Sequence, residues 1–202
     1  MTDNSAFGDL FHDVPLMAIL RGMGVERSLS VATTAWDLGI EVVEVPVQTP
    51  TDVEALRAVA DAARSRGLRV GAGTVVTPQH VQQAKDAGAD FTVSPGFDAE
   101  IVRASHSAGM PSLPGVATAT EVQLALKEGL TWLKAFPASL LGTSWFGAMR
   151  GPFPQATFVA TGGMDASTTP SFLSAGVRVV AVGSALEDPE QLPALARLVN
   201  ER

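Results

Sequence analysis

The stretch GLRVGAGTVVTPQHVQQAKDAGADFTVSP, from Gly67 to Pro95, decides the fold. It leads from a glycine into the short run Val70-Gly71-Ala72-Gly73-Thr74, restarts as a helical pattern over Gln79 to Ala87, and returns through Gly88 to Phe91-Thr92-Val93-Ser94-Pro95. Thr77-Pro78 is a helix start, because proline's missing N–H and fixed φ suit the first helical position. Gly88 is a helix stop, able to take the left-handed conformation that a Cβ disfavours. The stretch therefore reads as strand, helix, strand.

The unit recurs. Gly39-Ile40-Glu41-Val42-Val43-Glu44-Val45-Pro46, Gly109 to Gly115, Gly129 to Pro137 and Gly176 to Ser184 repeat the order of a glycine, a few residues and a short β-rich run. Gly67, Gly88, Gly109 and Gly129 are separated by 21, 21 and 20 residues, the length of one helix plus one strand. Thr51-Asp52 introduces a helical pattern over Val53 to Arg66, and Thr118 to Thr120 introduces another over Glu121 to Glu128. With Leu16 to Leu20 and Thr157 to Ala160 added, about eight strands result, mostly continuously apolar as strands buried on both faces are. Alternating βα units of this number predict an α/β fold, a single-domain (β/α)8 TIM barrel over residues 1–202 with a short N-terminal helix before Pro15 across its bottom. An open doubly wound sheet is the alternative, but Leu20-Arg21-Gly22-Met23-Gly24 is not a full dinucleotide-binding fingerprint.

Composition narrows the function. The chain has 202 residues, 46% of them hydrophobic, enough to bury one sizeable core. A net charge of −7 and a pI near 4.9, with no Lys/Arg cluster, argue against nucleic-acid and anionic-membrane partners, so an anionic substrate has to be held by local groups. The absence of cysteine removes disulfides and thiolate nucleophiles and agrees with a reducing compartment. Met1 to Asp13 is polar and acidic, without the order of a signal peptide, and no apolar run approaches about 18 residues. The expectation is a cytoplasmic protein.

In a barrel the C-terminal ends of the strands converge on one mouth. In chain order these ends carry Arg21, Glu44, Gly73-Thr74, Ser94-Pro95, Pro114-Gly115, Lys134, Thr161-Gly162-Gly163 and Gly183-Ser184. Lys134 stands out, being one of three lysines and lying within Leu130-Thr131-Trp132-Leu133-Lys134-Ala135-Phe136-Pro137, whereas Lys85 and Lys127 fall in polar helical stretches. Desolvation favours a neutral, nucleophilic amine, the form an imine-forming lysine needs. A snorkelling or ion-paired lysine would give the same pattern. Glu44, set in an apolar strand, suits a proton shuttle beside such an amine or a structural ion pair with Lys134 or Arg21. The glycines and hydroxyls after the seventh and eighth strands suit a phosphate, and Arg21 suits a carboxylate. His12, His80 and His106 show no ligand spacing and lie away from the strand ends, which argues against a metal-dependent mechanism. Trp145, Phe146 and Met149 read as helical core, although Trp36, Trp145 and Phe146 also suit an interface, and Asp165 to Ser167 reads as a cap.

On Ile19-Leu20-Arg21-Gly22, Val43-Glu44-Val45, Val70-Gly71-Ala72-Gly73-Thr74-Val75, Ser94-Pro95-Gly96, Pro114 to Glu121, Leu133-Lys134-Ala135-Phe136-Pro137-Ala138, Gly151-Pro152-Phe153, Thr161-Gly162-Gly163 and Val182-Gly183-Ser184, the chain resembles the 2-keto-3-deoxy-6-phosphogluconate (KDPG) and 4-hydroxy-2-oxoglutarate (KHG) aldolases and their phosphogalactonate-specific relatives. These segments span residues 15–186 in colinear order. The resemblance implies a class I aldolase, a homotrimer working without cofactor or metal on a small keto-acid phosphate. It implies Lys134 as the Schiff-base lysine and Glu44 as general acid/base. Arg21 and Thr74 would hold the substrate carboxylate, Gly162, Gly163 and Ser184 its phosphate, and Thr161, Pro95 and Phe136 would complete the pocket. Two positions depart from a simple assignment: Gln48 stands where many gluconate-type members carry Arg, while Thr161 resembles the gluconate-type choice. Leu140 to Arg150 also diverges. Outside this family, a phosphate-binding isomerase or epimerase, with Glu44 as base and Lys134 as electrostatic stabiliser, and a non-catalytic sugar-phosphate-binding barrel are the competing readings.

Overall fold

The computed structural model describes residues 6–12 and 14–200, so Met1 to Ser5 and Asp13 of the acidic N-terminal segment lie outside the described residues. The strands are β1 (Leu16–Ile19), β2 (Val42–Pro46), β3 (Val70–Gly73), β4 (Phe91–Val93), β5 (Ser112–Leu113), β6 (Gly115–Val116), β7 (Trp132–Ala135), β8 (Thr157–Thr161) and β9 (Val179–Val182). All pair in parallel in the order β5-β4-β3-β2-β1-β9-β8-β7-β6. The two outer members of that order are one stretch of chain broken at Pro114, which has no N–H to give a ladder. Its first half pairs with β4 and its second with β7, so the sheet closes on itself. The expected (β/α)8 TIM barrel is what forms, with one of its eight staves split in two.

The helices are α1 (Ala6–Leu10), α2 (Gly24–Asp37), α3 (Pro50–Ser65), α4 (Pro78–Asp86), α5 (Ala99–Ser107), α6 (Ala119–Lys127), α7 (Ala138–Leu141), α8 (Thr143–Arg150), α9 (Thr169–Ser174) and α10 (Leu192–Asn200), with a 3-10 turn at Ser184–Glu187. Their starts are chemical. Thr77 caps α4 by accepting from the His80 N–H at 3.1 Å, and Thr118 exchanges hydrogen bonds with Glu121 in a capping box at α6. At α3 the cap is Thr49 rather than the expected Thr51-Asp52. Thr49 accepts from the Asp52 N–H at 3.2 Å and donates its own N–H to Asp52 Oδ2 at 2.9 Å, so Pro50 becomes the first helical residue. Trp36 and Phe146, which equally suited an interface from sequence, are buried within the chain, and Trp145 donates its indole N–H to the Ala117 carbonyl at 3.0 Å.

Side chains alternate along each strand between two cores. Leu16, Ala18, Val43, Val45, Leu133 and Ala135 face the surrounding helices, whereas Met17, Ile19, Val42, Phe91, Val159 and Ala181 fill the barrel interior. The helix expected before Pro15 is α1. It closes the N-terminal end by placing Phe7 edge-on to Phe91 at 5.6 Å and Phe11 against Trp132 at 5.5 Å. The bottom is thus packed with aromatic rings, and the larger open volume lies toward the C-terminal ends of the strands.

Gly71 lets this plug form, since a Cβ there would come within 2.1 Å of the Phe91 ring. Gly71→Ala is therefore expected to destabilise the fold by about 1–3 kcal/mol through overpacking. Urea unfolding should show a lower midpoint with an unaltered slope. A midpoint equal to that of the parent chain would mean that Phe91 moves aside freely.

Candidate active site

Lys134 is the third residue of β7 and Glu44 the third of β2. Because their neighbours Leu133, Ala135, Val43 and Val45 face the helices, the alternation of side chains turns both charged groups into the barrel. Their side chains meet there, with Lys134 Nζ 3.9 Å from Glu44 Oε2, and the residues are 2% and 0% exposed. Room for the carboxylate comes from β3, where a Cβ on Gly73 would lie 2.0 Å from Glu44 Oε1. Glycine in the strand interior is thus the complement of the glutamate on the next strand. The Lys134 ammonium also lies 5.3 Å from the centre of the Phe136 ring. Burial holds the Lys134 pKa below the ordinary lysine value. Glu44 acts against this shift by favouring the cation, and Arg21 adds to it.

Above this pair lies a cavity of about 660 Å³. Of the residues expected from sequence, Arg21, Phe136, Thr161, Gly162, Gly163 and Ser184 line it. Lys134 and Glu44 are not on its wall, and Lys134 adjoins it through Phe136. Arg21 lies two residues beyond the end of β1, and its guanidinium donates to Gln48 Oε1 at 2.8 Å and to Thr74 Oγ1 at 3.3 Å. Thr74 holds a φ of +57°, a left-handed conformation uncommon for a non-glycine residue. In this conformation its hydroxyl meets Arg21, a local strain of the kind found at functional sites. Thr74 and Pro95 stand off the cavity wall. Pro95 packs its carbonyl so close to Gly115 that a Cβ there would lie 2.1 Å away.

The turn after β8 is built for close approach. Gly162 and Gly163 have φ of +98° and +73°, and a Cβ on Gly163 would fall 2.5 Å from Ser139 Oγ. Thr161 points inward, 3% exposed, with Oγ1 making no hydrogen bond among the described residues. Asp165 caps the following turn by accepting from the N–H groups of Thr168 and Ser167 at 2.8 and 2.9 Å, as expected. These bonds hold its carboxyl below the usual carboxylate range. Sequence reasoning missed Met23, Arg27 and Glu187, which also line the cavity. Arg27 had one legible signal, a cation in the first turn of a helix where the dipole disfavours it.

The electrostatics yield a test with opposite signs. Glu44→Gln removes the charge that favours protonated Lys134, so the Lys134 pKa is expected to fall further. Arg21→Gln removes a repelling cation, so it is expected to rise. NMR titration of lysines labelled at the carbon beside Nζ reads both, and movement of both variants in the same direction would contradict this account.

A sequence model of the KDPG and KHG aldolases matches residues 9–198. A 2-dehydro-3-deoxy-phosphogluconate aldolase of Treponema pallidum is 36% identical over 179 residues, 88% of this chain and 82% of that protein. A 2-dehydro-3-deoxy-6-phosphogalactonate aldolase of Escherichia coli is 34% identical, covering 86% of this chain and 84% of the relative. The crystal structure of the KDPG aldolase from Legionella pneumophila, with pyruvate captured as a covalent carbinolamine, superposes with a TM-score of 0.82 at 30% identity over 95% of each chain. Likeness in sequence and in barrel fold thus extends along nearly the whole chain: this protein is an aldolase, a member of the KDPG and KHG aldolase family.

Proposed function

We propose that the chain is a class I aldolase that reversibly cleaves 2-keto-3-deoxy-6-phosphogluconate to pyruvate and glyceraldehyde 3-phosphate, with Lys134 as the imine-forming nucleophile. The observation that carries this is the desolvated Lys134 held 3.9 Å from Glu44 beneath an open cavity. Burial favours the neutral amine, which attacks the C2 carbonyl of the keto acid. Glu44, relaying through a water, gives the proton that lets the carbinolamine lose hydroxide as water, leaving a protonated imine. The C4 hydroxyl then gives its proton to the Glu44 carboxylate, the C3–C4 bond breaks, and its electron pair moves into the imine to make an enamine as the aldehyde leaves. Protonation at C3 and addition of water release pyruvate and restore the amine.

Arg21, oriented by Thr74 and Gln48, is proposed to grip the carboxylate. Gly162, Gly163 and Ser184 offer neutral donors to the phosphate, while Phe136 forms part of the wall and Pro95, off the wall, packs against Gly115. The unpartnered Thr161 hydroxyl inside the cavity favours a substrate hydroxyl as its partner and supports the gluconate epimer. The 2.8 Å bond from Arg21 to Gln48, at the position where the chain is closer to the galactonate-type pattern, supports the galactonate epimer as a second reading.

Among the described residues no helix is long and apolar enough to cross a membrane. A cytoplasmic location, action as a single domain and assembly as a homotrimer belong to the same proposal. For the last, the exposed side chain of Leu140 is an apolar surface available to a partner copy.

Borohydride reduction in the presence of pyruvate, followed by peptide mass spectrometry, is expected to leave a pyruvate-sized adduct on the peptide carrying Lys134. Lys134→Ala should lose the adduct and at least about 10³-fold in turnover. Near-full activity in that variant would end the imine mechanism, and epimerisation of a sugar phosphate without an adduct would place the chemistry in the isomerase class.

A further inference from the structure

Arg27 and Glu187 face the same cavity and pair with each other at 2.9 Å. Arg27 lies at the end of the first turn of α2, where a cation works against the helix dipole. Its position is thus explained by what it faces rather than by the helix it belongs to. Glu187 ends the 3-10 turn that begins at Ser184. Residues three apart eclipse on such a turn, so Ser184 and Glu187 share a face, and the guanidinium that Glu187 holds is brought to the Ser184 side of the cavity.

The substrate class proposed above is anionic at both ends. Arg21 stands at one end, already oriented by Thr74 and Gln48. At the other end Gly162, Gly163 and Ser184 supply only neutral donors. A phosphate entering a protein of net charge −7 gains from a nearby cation, both in approach and once its hydration is removed. The Arg27 side chain is 62% exposed, which leaves the rest of its five-donor fork accessible, and an ion pair so exposed is weak enough for a phosphate to compete for it.

We propose that Arg27, positioned by Glu187, contacts the phosphate of the substrate and sets the preference for phosphorylated over unphosphorylated keto acids. This rests on the phosphorylated-substrate reading given above. Neither residue belongs to the segments that carry the family resemblance, so the contact is argued from the rim geometry alone.

The test is steady-state kinetics of the full chain and of Arg27→Gln, Arg27→Lys and Glu187→Gln, with 2-keto-3-deoxy-6-phosphogluconate and its dephosphorylated form as paired substrates and inorganic phosphate as competing ligand. Arg27→Gln is expected to lower the ratio of kcat/KM for the phosphorylated over the unphosphorylated substrate at least about tenfold, the size of one charge-assisted hydrogen bond. Phosphate inhibition should weaken by a similar factor, Arg27→Lys should recover part of both, and Glu187→Gln should have a smaller effect in the same ratio. Equal losses on both substrates in Arg27→Gln, together with a lower melting temperature, would mark a tether between α2 and the turn and overturn the proposal. A parent chain that favours the phosphorylated substrate, with Arg27→Gln keeping that preference, overturns the role of Arg27 alone. A parent chain with no such preference overturns the substrate reading beneath it.

Discussion

A lysine and a glutamate that share the interior of a barrel set the terms for everything around them. Lys134 and Glu44 are both buried, 3.9 Å apart, and their attraction is worth about 4 kcal/mol at an effective dielectric near 20. Withdrawing each ion from water costs several kcal/mol. The pair therefore does not hold the barrel together; the barrel holds the pair. The apolar strands, the helices packed outside them and the aromatic plug formed by α1 supply the stability that lets two charges stay where water would otherwise claim them. The same desolvation that is unfavourable for the fold lowers the Lys134 pKa, which is the property an amine nucleophile requires.

The barrel is accordingly divided along its axis. Its lower half is closed by Phe7, Phe11, Phe91 and Trp132, with Gly71 leaving space for the Phe91 ring. Its upper half is opened by a second glycine on the same strand, Gly73, whose missing Cβ is the volume occupied by the Glu44 carboxylate. Two residues along β3, both facing inward and both without side chains, thus serve opposite ends: one admits an apolar plug and the other admits a charge. The loops at the open end are fixed separately. The Thr49–Asp52 and Thr118–Glu121 capping boxes start helices directly behind the mouth, and Trp145 pins the loop carrying Ala117.

What sequence revealed and what it hid follow from the range of the interactions. The glycine spacing and the Thr77-Pro78 start are local signals, and they located the strands and helices to within a few residues. Lys134 was legible because an ammonium in an apolar strand violates a local rule, and Glu44 was legible for the same reason. The break at Pro114 was not read as a split stave, because only pairing on both sides of it, to β4 and to β7, gives it that meaning. The match between Gly73 and Glu44 joins two strands, and a glycine in a strand has many uses. Thr51-Asp52 adjoins the helical pattern directly, whereas Thr49-Pro50 carries the same Thr-Pro signal as α4 and is fixed as the cap by its hydrogen bonds to Asp52. Arg27 and Glu187 lie 160 positions apart, and nothing local joins a cation at a helix start to a glutamate in a turn until the fold sets them on one rim.

Gln48 shows how charge is placed at the mouth. The neutral partners Gln48 and Thr74 orient Arg21 without cancelling its charge, so the guanidinium keeps its full attraction for a carboxylate. An arginine in place of Gln48 would add a second cation near Lys134, and since Arg21 already depresses the Lys134 pKa, another positive group would depress it further. Gln48 thus gives up Coulombic attraction for the substrate but keeps Arg21 in place, and it leaves the protonation of Lys134 governed by burial, Glu44 and Arg21. In the proposed reaction that balance matters twice. The amine has to be neutral to attack, yet the nitrogen has to carry a proton once it is an imine, and Glu44 is the group that favours the second state. The position of a single carboxylate in the space left by one glycine therefore bears on both halves of the chemistry.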